Sequence, residues 1–231
     1  DQLSLGIEWN PRKGDVISLN RVYSCHYLFS DKPRDKFIFR PLFRRWDRLL
    51  ITEIKTLGVP VVVHPLDLIK DWKTLYNICD QLVLELKFDN KFRTINDILN
   101  VINNKQIKMI CIDIGYLIQY LFKYSGKGSL TLNVDKVIGT IKEQGLIIRV
   151  VHIWDWRSKT NDVFGKSLLL GQGNYSEVVR QVLYQIISAN SNLELLTFEF
   201  GPNSLKPWLG KKTVLECLLQ SIKFLRLGKY L

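Results

Sequence analysis

The sequence predicts a (β/α) TIM barrel of parallel strands, organised as a single domain over residues 1–231. Three observations point there. Short apolar runs alternate with longer stretches of helical period. Most of the runs carry no polar face, as strands covered on both sides by helices require. No linker-like stretch interrupts the alternation. With 46% hydrophobic and 11% aromatic residues, the chain has ample material for one core of that size.

The strand candidates are, in order, residues 3–9, 22–26, 59–64, 82–85, 109–113, 147–152 and 193–199. Between them lie helix candidates at 41–57, 67–79, 94–103, 133–144, 175–189 and 213–227. In the first helix candidate, Leu42, Trp46, Leu49, Leu50, Ile54 and Leu57 form one face, with Arg44, Arg45, Arg48 and Lys55 on the rest. Thr94-x-x-Asp97 has the form of a capping box, and Asn174 and Ser176 precede Glu177 as cap candidates. Gly58, Gly145 and Gly228 stand just past helical patterns, where C-terminal glycines belong. Seven runs are one short of eight. Either residues 15–19 supply the missing strand, or the barrel is shortened near its N-terminus.

Lys and Arg total 33 against 22 Asp and Glu, a net charge of +11. That surplus favours polyanionic partners such as nucleic acid. Cys25, Cys79, Cys111 and Cys217 stand singly, with no CxxC pair, and read as reduced thiols in a reducing compartment. No apolar stretch reaches the length of a membrane span and no signal-peptide pattern opens the chain, so the expectation is a cytoplasmic, monomeric protein with no membrane partner. Walker-type phosphate loops, GxSxG and HExxH are absent from the sequence.

The runs end alike. They close on His26, His64, Glu85, Asp113, His152 and Glu199, and the chain has no other histidine. Parallel barrel strands all point their C-terminal ends at one mouth, so residues far apart in sequence can meet there. Imidazoles and carboxylates are the donors that divalent metals take. Burying three carboxylates together without cations would be opposed by repulsion and desolvation. This pattern predicts a metal centre of these six residues. Of the tryptophans after His152, one of Trp154 and Trp156 is expected to pack in the core.

From about Val22 to Leu227 the chain resembles the xylose-isomerase-like barrel superfamily, and most of all its endonuclease-IV-type apurinic/apyrimidinic endonucleases. The likeness rests on "CHYLF" at His26, "VVVHP" at His64, "LVLE" at Glu85, "CIDIGYL" at Asp113, "VHIWD" at His152 and Asp155, "LLLGQGNYSEVV", and "LLTFE" at Glu199. Phe29 and Tyr116 stand where that branch has tyrosine and histidine. The resemblance implies one metal held by His26, His64 and Glu85, and a second by Glu85, Asp113, His152 and Glu199. The third site is degenerate, its ligand positions falling at Tyr116 and near Gly165 and Ser167. The cofactor implied is two divalent ions, zinc first, with manganese or iron as alternatives.

On this reading the chain is a hydrolase that cleaves phosphodiesters in abasic or damaged DNA. Glu85, Asp113 and Glu199 are the catalytic carboxylates, and Asp155 and Tyr116 support the ligands. Arg157, Lys159, Lys166, Lys206, Lys211 and Lys212 would follow phosphates, as would Lys123 and Lys127. Tyr27 and Phe29, with Tyr116, would fill the space of a missing base. Two rivals stand beside it. A sugar or sugar-phosphate isomerase or epimerase would hold one metal on Glu85, Asp113, His152 and Glu199 and needs neither His26 nor His64. A non-catalytic DNA-binding barrel would retain the donors without cleavage.

Overall fold

The structure, a computed structural model, describes residues 7–9, 22–27, 52, 54–89, 91–124, 130–155, 173–190, 193–198, 216, 219 and 221–224, with the backbone alone for 7–9, 22–27 and 124. The strands are β1 (Ile7–Trp9), β2 (Val22–Tyr27), β3 (Val61–Val63), β4 (Leu82–Glu85), β5 (Met109–Asp113), β6 (Ile147–Ile153) and β7 (Leu195–Phe198). The helices are α1 (Pro65–Leu75), α2 (Ile95–Lys105), α3 (Ile114–Tyr124), α4 (Leu130–Glu143) and α5 (Ser176–Ala189), and a 3-10 helix (Tyr76–Gln81) continues α1. Every expected strand is present. Residues 10–21, where an eighth strand was a candidate, lie outside the described residues, as does most of the first helix candidate.

The chain divides into two compact units, Asp1–Cys111 and Ile112–Leu231, with the boundary inside β5. In the first unit β1 to β5 pair in chain order and in parallel. The registers Cys25↔Val61, Val61↔Leu82 and Val83↔Met109 carry the sheet across. Val61, Val62, Val63, Leu82, Val83 and Leu84 are fully buried, which is why these strands show no polar alternation. Pro60 has no N–H to give the ladder, and β3 starts one residue after it. Helix α1 packs on α2 and on β4, covering the sheet with Leu68, Leu75, Ile98 and Ile102.

The capping box at α2 forms as expected. The Thr94 hydroxyl accepts the Asp97 N–H at 3.2 Å, and the Asp97 carboxylate accepts the Thr94 N–H at 2.8 Å. Those bonds hold the Asp97 carboxyl below its ordinary pKa, led by the backbone bond to Thr94. The helix closes on Gln106, held at φ 55° in the left-handed region that glycine ordinarily takes. Gly58 and Gly145 adopt φ +65°, the conformation expected of them past their helices.

In the second unit β6 pairs with β7 in parallel, from Val150↔Leu195 to Ile153↔Phe198. Arg149 and Glu194 add an ion pair at 2.6 Å where the pairing begins. Helix α3 packs on α4, α5 and β6, and α4 packs on α5. Buried Ile114, Leu117, Ile118, Val134, Ile141, Val179, Leu183 and Ile186 fill the space between them.

Helix α3 is the element that the sequence pattern did not predict. Ile114, Leu117, Ile118 and Leu121 are buried at helical spacing, but α3 starts directly after β5, so strand and helix join in one largely apolar stretch with no loop residues to mark the boundary.

Two exposed substitutions test the α2 termini by urea denaturation. Thr94→Ala is expected to cost about 1 kcal/mol by removing the capping hydroxyl. Gln106→Gly is expected to stabilise by about 0.5 kcal/mol by relieving a side chain in the left-handed region. A midpoint that moves the other way in either variant contradicts the assigned cap.

Candidate metal centre

In the first unit, His64 is fixed by its neighbours in sequence. The residue before a proline is barred from helical backbone, and His64 is extended at φ −75°, ψ 152°. Pro65 then opens α1, so β3 ends and the helix begins at one imidazole. Glu85 is the last residue of β4 and is 1% exposed. Their side chains meet, with His64 Nε2 at 3.0 Å from Glu85 Oε2. Asp67, in the first turn of α1 and fully buried, places Oδ2 at 3.5 Å from His64 Nδ1, an ion-pair distance. Lys87 Nζ lies 3.4 Å from the same Nε2.

Burial opposes a charge on His64 and is the largest single influence on it. The adjacent Glu85 charge and the contacts with Asp67 and Glu85 outweigh that burial, while Lys87 pulls the other way. The net effect raises the pKa to about 9. A pKa raised that far makes the imidazole a cation at neutral pH, paired with Glu85 across the 3.0 Å separation. Asp67 and Lys87 were not among the sequence-predicted residues. The available signal was Asp67 at i+3 from a histidine that starts a helix.

His26 and Tyr27 lie in β2, with His26 in register with Val62 and Tyr27 with Val63. Their side chains are outside the described set.

In the second unit, Asp113 ends β5 and caps α3. Its Oδ1 accepts the Tyr116 N–H at 2.9 Å, which satisfies a donor of the first helical turn. The Trp154 indole N–H reaches both carboxylate oxygens, Oδ1 at 2.7 Å and Oδ2 at 2.8 Å. Asp113 is fully buried and Trp154 is 4% exposed. Trp154 is thus a core residue, as expected of one of the two tryptophans, but it also holds a predicted metal ligand. Tyr116 stacks edge-on against Trp154, ring centroids 5.5 Å apart. Gly115 makes this possible, since a Cβ there would come within 2.7 Å of the indole Cδ2.

His152, the sixth residue of β6, is fully buried and in register with Thr197. Asp113 and His152 each offer a ligand atom, and these lie within 4.8 Å of one another. A buried carboxylate and a buried imidazole at that spacing fit a divalent cation.

Asp155, also fully buried, accepts the N–H of Gly173 at 2.7 Å and of Tyr175 at 3.0 Å, and the Ser176 hydroxyl. The expected local cap of α5 does not form. Tyr175 is the N-cap residue and caps with no side-chain bond. The carboxylate that serves the helix start comes from some 20 residues upstream, so no local motif could signal it.

Glu199, Phe29, Arg157, Lys159, Lys166, Lys206, Lys211 and Lys212 lie outside the described residues, as do Trp156, Gly165 and Ser167. No helix among the described residues is long and apolar enough to cross a membrane.

No family model and no curated protein matches the chain. Solved structures do. A xylose isomerase domain protein from Planctomyces limnophilus is similar at 13% identity and TM-score 0.54, over 89% of this chain and 77% of that one. The 3-keto-D-glucoside 4-epimerase YcjR from E. coli is similar at 14% identity and TM-score 0.52, over 89% and 78%. A xylose isomerase-like TIM barrel protein from Mycobacterium smegmatis, in complex with magnesium, is similar at 12% identity and TM-score 0.50, over 89% and 72%. The likeness shows the fold, a (β/α) barrel with its strands parallel as the sequence predicts.

Two measurements on chelator-treated protein test this geometry. A pKa raised on folding stabilises fully below the unfolded value near 6.5 and ceases to do so as pH rises through about 9. Unfolding free energy is thus expected to fall by a few kcal/mol across that window, on the order of the shift itself. His64→Gln should remove the slope, and a parent that gains stability over the same window contradicts the ion pair. Separately, Asp155→Ala leaves buried donors at the start of α5 unmatched, at an expected cost of about 1–3 kcal/mol in denaturant unfolding.

Proposed function

We propose that this chain is a divalent-metal-dependent phosphodiester hydrolase acting on DNA, at abasic or otherwise damaged sites. Its ligands are His26, His64, Glu85, Asp113, His152 and Glu199. The observation that carries the reading is His64. A buried histidine at the end of β3, with Nε2 turned to Glu85 at 3.0 Å, is a donor that single-metal isomerase chemistry does not use. The buried donors Asp113 and His152 support a metal in the second unit. The net charge of +11 suits a polyanionic substrate.

Bound metal would supply an activated water at neutral pH and offset negative charge on the phosphate. Glu85 would fix the spacing of the two ions. His64 must give up its proton to serve as a ligand, so metal uptake releases that proton. Arg157, Lys159, Lys166, Lys206, Lys211 and Lys212 would hold the DNA backbone, which makes binding fall with salt. Tyr27 and Phe29 would occupy the gap of a lost base. Zinc, manganese and iron are the ions to assay first, and the magnesium of the Mycobacterium smegmatis protein adds a fourth.

The second reading is an isomerase or epimerase with one ion on Glu85, Asp113, His152 and Glu199. The likeness to a 3-keto-D-glucoside 4-epimerase favours it. In that case the His64–Asp67–Glu85 contacts are structural.

Metal analysis joined to a nicking assay on an abasic-site duplex separates the two. The hydrolase reading expects about two ions per chain and cleavage abolished by chelator, with Glu85→Gln lowering it roughly 100-fold or more. One ion per chain, no cleavage, and solvent exchange of a proton beside a sugar carbonyl would establish the isomerase instead.

A further inference from the structure

The Trp154 indole does more than pack. Its N–H stands between the two oxygens of Asp113, 2.7 Å from one and 2.8 Å from the other. Near-equal distances put the donor close to the bisector of the carboxylate. A cation chelated by both oxygens would have to sit in that same place. We propose that Trp154 is a specificity-determining positioning residue that closes the chelating face of Asp113, so that a cation can bind this carboxylate through one oxygen only. The proposal rests on the reading that Asp113 is a metal ligand.

The arrangement is built rather than incidental. Trp154 is 4% exposed, Asp113 is fully buried, and the ring lies over a glycine where any Cβ would collide with it. The Tyr116 N–H also binds Oδ1, at 2.9 Å, and helps keep the carboxylate from turning away. Tyr116 also braces the indole edge-on.

The consequence is discrimination by coordination style. Calcium takes six to eight oxygens and readily uses carboxylates with both oxygens at once. Manganese, magnesium and zinc work with fewer ligands and accept single-oxygen carboxylates. A carboxylate confined to one oxygen therefore disfavours calcium, and loss of the indole N–H should relax that preference.

The test uses the full chain and the ions alone. Free Mn²⁺ is read by its electron paramagnetic resonance signal, and Ca²⁺ by its competition for the Mn²⁺ sites. The parent is expected to bind Mn²⁺ at least tenfold more tightly than Ca²⁺. Trp154→Phe keeps an aromatic ring in the core and removes the donor. It is expected to narrow the Mn²⁺-to-Ca²⁺ ratio by about tenfold or more, the scale on which outer contacts act on metal affinity. Gly115→Ala, which displaces the ring without deleting the N–H, should move the ratio the same way. A parent that binds Ca²⁺ as well as Mn²⁺ overturns the proposal even if neither variant folds. So does an unchanged ratio in a folded Trp154→Phe. A parent that binds no Mn²⁺ instead defeats the metal centre on which the proposal rests.

Discussion

Carboxylates buried at the ends of strands govern this chain. An ionised carboxyl removed from water loses solvation worth several kcal/mol, and the fold must return it through donors, cations or protons. Glu85 is met by the His64 imidazolium. Asp113 is met by an indole N–H and a backbone N–H at the start of α3. Asp155 is met by two backbone N–H groups and a hydroxyl at the start of α5. Each solution is different, and each uses what its own element brings to the strand end.

These differences give the three acids different capacities. Asp155 serves a helix start, where the dipole and orphan donors favour a fixed negative charge. Asp113 serves a helix start too, yet its indole partner restrains rather than exhausts it. Glu85 is held by a cation that can lose its proton. A strand-end carboxyl with a displaceable partner is the kind that can exchange that partner for a metal ion, and one locked into several backbone bonds is not. The local partners, more than the residue type, separate ligand from scaffold.

The parallel sheet was legible because burial on both faces erases the polar alternation. The runs at 82–85 and 109–113 are strands to the residue, and the others differ by a few residues at their ends. The α2 capping box was legible because its partners lie three residues apart. Helix α3 was not, since it starts directly after β5 and no loop residues separate strand from helix in the apolar stretch. The start of α5 was not, because its cap is supplied by Asp155 from a distant stretch of chain.

From the sequence alone came the parallel (β/α) class, the placing of His64, Glu85, Asp113 and His152 at strand ends, and a burial for one tryptophan near His152. All follow from local pattern, since period, proline and glycine act over a few residues. The tertiary structure decided the partners. That His64 faces Asp67 as well as Glu85, that Trp154 gives its N–H to Asp113, and that Asp155 anchors α5 are contacts between separate elements. Hydrogen bonds depend on distances of a few tenths of an ångström, and only the packed chain sets those.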